Sequence, residues 1–319
     1  MRAPNSFTTS GAFFYKMNNE LKPKIIVILG PTATGKSSLA VQIAKKFNGE
    51  IISADSRQVY KGLDIGSGKI TEKEMMGVPH HLLDIANPKR KFSVTDFKEK
   101  AEKAIEDILK RGQLPIICGG TGFYIQALVD NLVLPEVSPN ISLRKKLDKK
   151  TPAELFEILK KLDPKRADSI ERQNPRRLIR AIEIAKEIGS VPVLKKDSLK
   201  YSPLFIGLDL PDEILKQKIG TRLMERIKIG MIEEARTLHE QGLSFKRMIE
   251  LGLEYKFLAK YLKGEITEKE MVSSLQIEIW HFVKRQRTWF KRDKRINWFE
   301  PSELKKIEKL VKDFVIPKK

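Results

Sequence analysis

Ile25-Ile26-Val27-Ile28-Leu29-Gly30-Pro31-Thr32-Ala33-Thr34-Gly35-Lys36-Ser37-Ser38 passes from an apolar run into glycines, a lysine and two hydroxyls. The stretch reads as a buried strand, a phosphate-binding loop and a helix start. Gly30 and Gly35 let the backbone curl so that successive N–H groups point inward, and the helix opening near Lys36 adds the positive end of its dipole. An oligophosphate fits that nest, Gly30 to Ser38. Lys36 supplies a full charge to the phosphate oxygens, and the Ser37 hydroxyl is placed to ligate a magnesium ion that bridges them. The bare pattern recurs by chance in roughly one chain of this length in a hundred. The competing reading, a glycine-rich turn with a surface lysine, does not account for the amphipathic run that follows, Leu39, Ala40, Ile43, Ala44 and Phe47.

Outward from this loop, Glu50-Ile51-Ile52-Ser53-Ala54-Asp55 reads as a second strand whose end delivers Asp55. In a parallel sheet the C-terminal strand ends share one edge, so Asp55 is expected to face the same crevice as Lys36. There it acts as a base or holds magnesium through water; the plainer reading is an Asp that caps the next turn. Residues 62–91 read as a long loop in which Pro79-His80-His81 suits structural or substrate contacts better than a metal pair, because adjacent side chains of an extended segment diverge. Ser93, with Asp96 three residues on, opens a helix that Gly112 closes. A third strand, Leu114 to Cys118, runs into Gly119-Gly120-Thr121-Gly122 and another helix. Nucleotide hydrolases of this loop class place an acid there to hold magnesium. Glycines and a threonine in its place speak against simple NTP hydrolysis. Thr121 suits a phosphate or a substrate amine, or else caps the helix.

Composition bounds the rest. The chain of 319 residues is 41% hydrophobic, enough for one large or two modest domains, and its formal charge of +20 points to a polyanionic partner. No apolar run reaches membrane-spanning length, and the run around Phe13-Phe14-Tyr15 is too short for a signal peptide, so the expectation is a cytoplasmic protein without a membrane partner. The single cysteine, Cys118, excludes an internal disulfide and a cysteine-based zinc site. Residues 1–20 carry no periodic pattern and read as a loose tail, with Met17 as an alternative start.

From Pro135 and Pro139 the character changes. Residues 135–199 read as a basic helical insertion, flanked by catalytic-core segments 21–134 and 200–319. Between Ile141 and Lys200 there are 17 Lys and Arg against 9 Asp and Glu. One insertion helix begins at Asn174-Pro175 and ends at Gly189, with Arg176, Arg177 and Arg180 at its start, where the dipole disfavours cations unless an anion binds. Pro203 to Leu208 returns to strand character and rejoins the sheet. The helix from Asp212 carries Arg222 and Arg226 within reach of the phosphates. Gln276 to Arg295 reads as a helix mixing Trp280 and Trp289 with Lys284, Arg285 and Arg287, which suits either RNA contact or one-sided packing.

Taken together, Gly30 to Ser37, Asp55-Ser56-Arg57-Gln58-Val59-Tyr60, Pro79-His80-His81, Gly119-Gly120-Thr121-Gly122-Phe123-Tyr124, Asn174-Pro175-Arg176-Arg177 and Lys284-Arg285-Gln286-Arg287-Thr288-Trp289 resemble the tRNA dimethylallyltransferase family, bacterial type. The resemblance spans about Lys24 to Trp298. It implies an α/β fold with a P-loop NTPase-like parallel sheet and a monomer. The implied reaction moves a dimethylallyl group from dimethylallyl diphosphate, with Mg2+, to N6 of the adenosine 3′ of the tRNA anticodon. It further implies catalytic roles for Asp55, Thr121, Lys36 and Arg222, and tRNA contacts through Asp55, Ser56, Arg57, Gln58, Arg144, the segment Arg176, Arg177, Leu178, Ile179 and Arg180, and Lys284, Arg285 and Arg287. Leu251 to Lys256 departs from the Gly-Tyr-Lys/Arg form of many members, and the zinc finger of eukaryotic members is absent. The rival classes are a prenyltransferase acting on free adenine nucleotides, a P-loop kinase or NTPase, and a catalytically silent RNA-binding protein. The first has no need of a basic insertion, and the last none of Lys36, Ser37 and Asp55 together.

Overall fold

The computed structural model describes residues 22–316. The expected loose tail lies outside them. Leu132–Asp197 forms one compact unit, and the chain on either side of it forms the other. The larger unit is built on a parallel sheet of β1 (Lys24–Leu29), β2 (Gly49–Ser53), β3 (His80–His81), β4 (Leu114–Gly119), β5 (Ser202–Leu208) and β6 (Asn297–Phe299), in the order β3-β2-β4-β1-β5-β6. Pro203–Leu208 thus rejoins the sheet directly beside β1, as its apolar character predicts.

The apolar continuity of β1 follows from its place. A parallel strand covered on both faces has no solvent side, so it runs apolar without alternation, and Ile25 to Leu29 are all buried. Ile25, Val27 and Leu29 pack with Phe97, Ile105 and Leu128 of α3 (Val94–Lys110) and α4 (Gly122–Val129), which follow α1 (Lys36–Phe47) and the short α2 (Glu72–Met75). Ile26 and Ile28 point the other way, onto Leu39 and Ile43 of α1. The Ser93–Asp96 box is formed in both directions, Asp96 N–H to Ser93 Oγ at 3.1 Å and Ser93 N–H to Asp96 Oδ2 at 2.7 Å.

Two short elements depart from the sequence reading. The segment read as loop over residues 62–91 contains α2 and β3. His81 Nε2 lies 2.5 Å from Glu50 Oε2, and His80 Nδ1 lies 2.8 Å from the Val78 carbonyl, so both histidines brace the sheet edge.

The smaller unit contains α5 (Ile141–Leu147), α6 (Pro152–Leu162), α7 (Pro164–Ser169) and α8 (Pro175–Ile188) around Leu155, Leu159, Leu178 and Ile182. Asn174 caps α8, its Oδ1 accepting from Arg177 N–H at 3.2 Å, and Gly189 ends it. The expected RNA contacts separate here. Arg176 and Arg177 are exposed, whereas Leu178 and Ile179 belong to the unit's core, which corrects the expectation that they touch RNA. Arg144 is engaged inside the unit, its Nε and Nη2 each 2.6 Å from the buried Glu183 carboxylate. Arg180 donates to the Val137 carbonyl at 2.8 Å and lies 3.5 Å from the same Glu183. Both arginines therefore serve to hold α5 and α8 together.

After β5 come α9 (Asp212–Lys228), α10 (Met231–Glu240), α11 (Phe245–Leu251), α12 (Leu253–Leu262), α13 (Glu268–Phe290) and α14 (Leu304–Val315). From α9 to α13 they enclose a core of their own with Val59, Tyr60 and Leu63 of the loop after β2. α14 is more than a charged terminus, for Ile307 and Val311 are fully buried against the α1 face of the sheet.

Candidate active site

The loop after β1 is held by its own backbone. Gly30 has φ of 140°, and a Cβ there would lie 2.1 Å from the Leu208 carbonyl oxygen of β5, so no other residue fits. Thr34 Oγ1, fully buried, donates to the Pro31 carbonyl at 2.9 Å. Gly35, left-handed at φ of 86°, opens α1 without any side-chain cap. The first N–H groups of α1 are thus left for an anion. Lys36 lies among neighbours and donates back to the Pro31 carbonyl. Burial lowers its ammonium to about 8, Arg222 assists, and Cys118, Asp55 and Asp209 oppose. Ser37 and Ser38 are exposed at the helix start.

At the end of β2, Asp55 Oδ1 accepts from Arg57 N–H at 2.8 Å and from Gln58 N–H at 3.4 Å. One carboxylate thus caps the turn and borders the chamber that Lys36 borders. Thr121, after β4, accepts from Ser56 N–H at 3.0 Å and caps nothing in α4. Its hydroxyl proton is left to point elsewhere. Gln58 Nε2 donates to the Gly68 carbonyl at 3.2 Å, and the Arg57 guanidinium to the Ser56 carbonyl at 3.0 Å.

These loops border one cleft with two adjoining chambers. The larger, about 1710 Å³ and open to solvent, meets Lys36, Ser37, Asp55, Gly120, Lys218 and Arg222. The smaller, about 750 Å³, shares Asp55 and Arg222, adds Thr121, and is walled by apolar Ile219, Leu223 and Phe282. Arg222 Nη2 donates to the Gly68 carbonyl at 3.4 Å, and burial, with Arg226 next, lowers its guanidinium to about 10. The expected catalytic set, Asp55, Thr121, Lys36 and Arg222, is thus gathered at one cleft.

Along α13, read as either an RNA face or a helix packed on one side, the cations divide. Lys284 and Arg285 are exposed, with Arg285 3.0 Å from Glu278. Arg287 is turned inward and corrected to a structural role, as it donates to Asp209 at 2.8 Å, to the Leu210 carbonyl at 2.6 Å and to Asp212. Trp289 packs on Gly122, where a Cβ would meet its ring at 2.3 Å, and edge-on to Phe123. Gln286, buried between two cations, was not singled out by sequence. Its Oε1 accepts from Thr32 N–H at 3.0 Å and its Nε2 donates to the Gly120 carbonyl at 2.9 Å, clipping the phosphate loop to the loop after β4. Its signals were a polar residue on the apolar stripe of α13 and its place inside the Lys284-to-Trp289 motif.

Comparison with known proteins adds independent findings. Residues 58–293 match the family model described as IPP transferase. The chain is 48% identical over 286 residues to tRNA dimethylallyltransferase 2 of Treponema denticola, covering 87% of this chain and 96% of that one. It is 43% identical over 284 residues to the tRNA dimethylallyltransferase of Anoxybacillus flavithermus, covering 88% and 91%. Among solved structures it is similar to the full-length tRNA isopentenylpyrophosphate transferase of Bacillus halodurans, with TM-score 0.69, 37% identity and coverage of 91% and 96%. It is also similar to a eukaryotic dimethylallyltransferase acting on tRNA, with TM-score 0.76, 25% identity and coverage of 92% and 79%.

Proposed function

We propose, on the premise that this chain belongs to the IPP transferase family of tRNA dimethylallyltransferases, that its cleft moves a dimethylallyl group from dimethylallyl diphosphate to N6 of the adenosine 3′ of the tRNA anticodon. The observation that carries this reading is the uncapped start of α1 with Lys36, and Asp55 and Thr121, all bordering a single cleft. The diphosphate lies in the nest. Its C–O bond to the allylic carbon breaks with positive charge developing on the carbon, so cations on the departing oxygens lower the barrier directly. Lys36 and Arg222 serve there. The adenine amine attacks, the C–N bond forms, and Asp55 accepts the amine proton. The Thr121 hydroxyl donates a hydrogen bond to the diphosphate or positions the amine. The target base leaves its stack to enter, and Ser56, Arg57 and Gln58 border it.

Among the described residues no cluster of three His, Cys, Asp or Glu could hold a metal. The Ser37 hydroxyl, exposed at the start of α1 and bordering the larger chamber, would be the protein ligand of a magnesium ion brought by the diphosphate, an ion that keeps most of its waters. Bound there, Mg2+ supplies further charge neutralisation on the leaving group. No described helix is long and apolar enough to cross a membrane. From the family reading, and not from that absence, we place the reaction in the cytoplasm and in a single chain.

The test is transfer of labelled dimethylallyl to unmodified tRNA, beside AMP, ATP and a chelated control, with identification of the product nucleoside. Label on the tRNA adenosine supports the reading. Label on AMP alone, or ATP hydrolysis without label, overturns it.

Two further outcomes are expected. Lys36 binds anions only when protonated, so its loss of the proton as pH rises through about 8 weakens donor binding. The donor KM should therefore climb above that pH in the wild type, whereas Lys36→Met should show a flat profile. In the smaller unit, Arg177 is exposed and paired at 2.9 Å with the equally exposed Glu171, so the pair is worth little and an RNA phosphate can replace it. Arg177→Ala should weaken tRNA binding several-fold and reduce the log–log salt slope by about 1, with turnover at saturating tRNA unchanged.

A further inference from the structure

The wall of the cleft carries a buried ion pair that the reaction above does not use. Arg226, one turn along α9 from Arg222, places Nη1 3.2 Å from Glu254 Oε1, and both side chains are only 12% exposed. Its guanidinium also reaches the Gly66 carbonyl at 3.5 Å. Glu254 lies in the segment that departs from the expected motif, where the chain turns sharply through Gly252 and Leu253, at φ of 76° and 40°. The next residue fixes it there, since the Tyr255 hydroxyl donates to Glu234 at 2.7 Å, and Glu234 in turn accepts from the N–H groups of Asp64, Ile65 and Gly66. Arg222 and Arg226 lie side by side over Gly68, both within 3 Å of where its Cβ would be. Of these two neighbouring arginines, Arg226 is the one paired with Glu254, while Arg222 also feels the carboxylates of Glu74 and Asp55.

We propose that Glu254 is a positioning residue that holds Arg226 away from the diphosphate and so leaves Arg222 as the cation that grips the leaving group. The deduction rests on the functional reading above. Without Glu254, Arg226 would be an uncompensated cation beside the anion site and would turn to the diphosphate. Without Arg226, Glu254 would have only Arg222 within reach and would draw it from the diphosphate. Burial raises the Glu254 carboxyl from its ordinary value and Asp55 adds to the rise, while Arg226 first and then Arg222 hold it down, so the pairing with Arg226 is what keeps it charged. Arg226 borders both chambers, and Glu254 borders the smaller one.

The experiment measures inhibition of transfer by inorganic diphosphate, competitive with the donor, in wild type, Glu254→Gln, Arg226→Met and the double variant, each checked for folding by thermal melting. Glu254→Gln should bind diphosphate about tenfold more tightly and turn over more slowly as product lingers. Arg226→Met should bind it several-fold more weakly, and the double variant should return close to wild type. Opposite signs are the signature, because a merely structural brace would weaken binding in both single variants. Shifts of the same sign, or no shift, overturn the proposal. Absence of competitive diphosphate binding by the wild type would instead remove the functional reading beneath it.

Discussion

Asp55→Asn should lower turnover about a thousandfold while tRNA affinity stays within a few-fold of the wild type. Asparagine is the informative substitution because Asp55 does two things. Its Oδ1 accepts the N–H groups of Arg57 and Gln58, a task an amide oxygen performs equally well. An amide does not accept a proton from an attacking amine. Asp55→Ala would remove both and mix loss of the base with collapse of the turn that presents Arg57 and Gln58. Single-turnover transfer with saturating tRNA, beside filter binding of the same tRNA, separates the two. Near-normal transfer by Asp55→Asn would take the proton away from this residue.

The second large effect belongs to Lys36→Met. Removing one preorganised donor from a developing anion costs about 10²–10³ in rate, and Lys36 is the one full charge inside the phosphate loop itself. Methionine keeps the apolar stem and relieves the burial of a charge, which is unfavourable in the empty cleft. The variant should therefore melt no lower than the wild type while kcat/KM for the donor falls by two orders of magnitude or more. Stability and activity would move independently. A loss of folding with no residual donor-dependent signal would show instead that the Lys36 to Pro31 hydrogen bond holds the loop together.

The frame was legible because each part had a local cause. Ile25 to Leu29 is apolar without alternation because β1 is covered on both faces, and the glycines that follow mark the nest. Asp55 and Thr121 followed from the rule that parallel strands end on one edge. What escaped depends on residues far apart in the chain. β3 and β6, of two and three residues, are too short for a period to show. Arg287 lies in a run of cations, and only folding reveals that Asp209, just after β5, and Asp212, at the start of α9, meet it. Leu178 and Ile179 sit between arginines, and the turn of α8 decides that they point inward. Gln286 gains its meaning from two backbone groups more than 160 residues away.

The strand order also has a consequence for synthesis. β1 lies between β4 and β5, and β5 begins at Ser202, after the whole of Leu132–Asp197 has been made. A nascent chain ending before β5 carries every helix of the smaller unit, while the most apolar strand of the sheet has one edge open. The insertion is therefore free to fold on the ribosome ahead of its host, and the sheet waits on β5, β6 and α14. In the growing chain the phosphate loop emerges early, directly after β1, and is among the last parts to be enclosed.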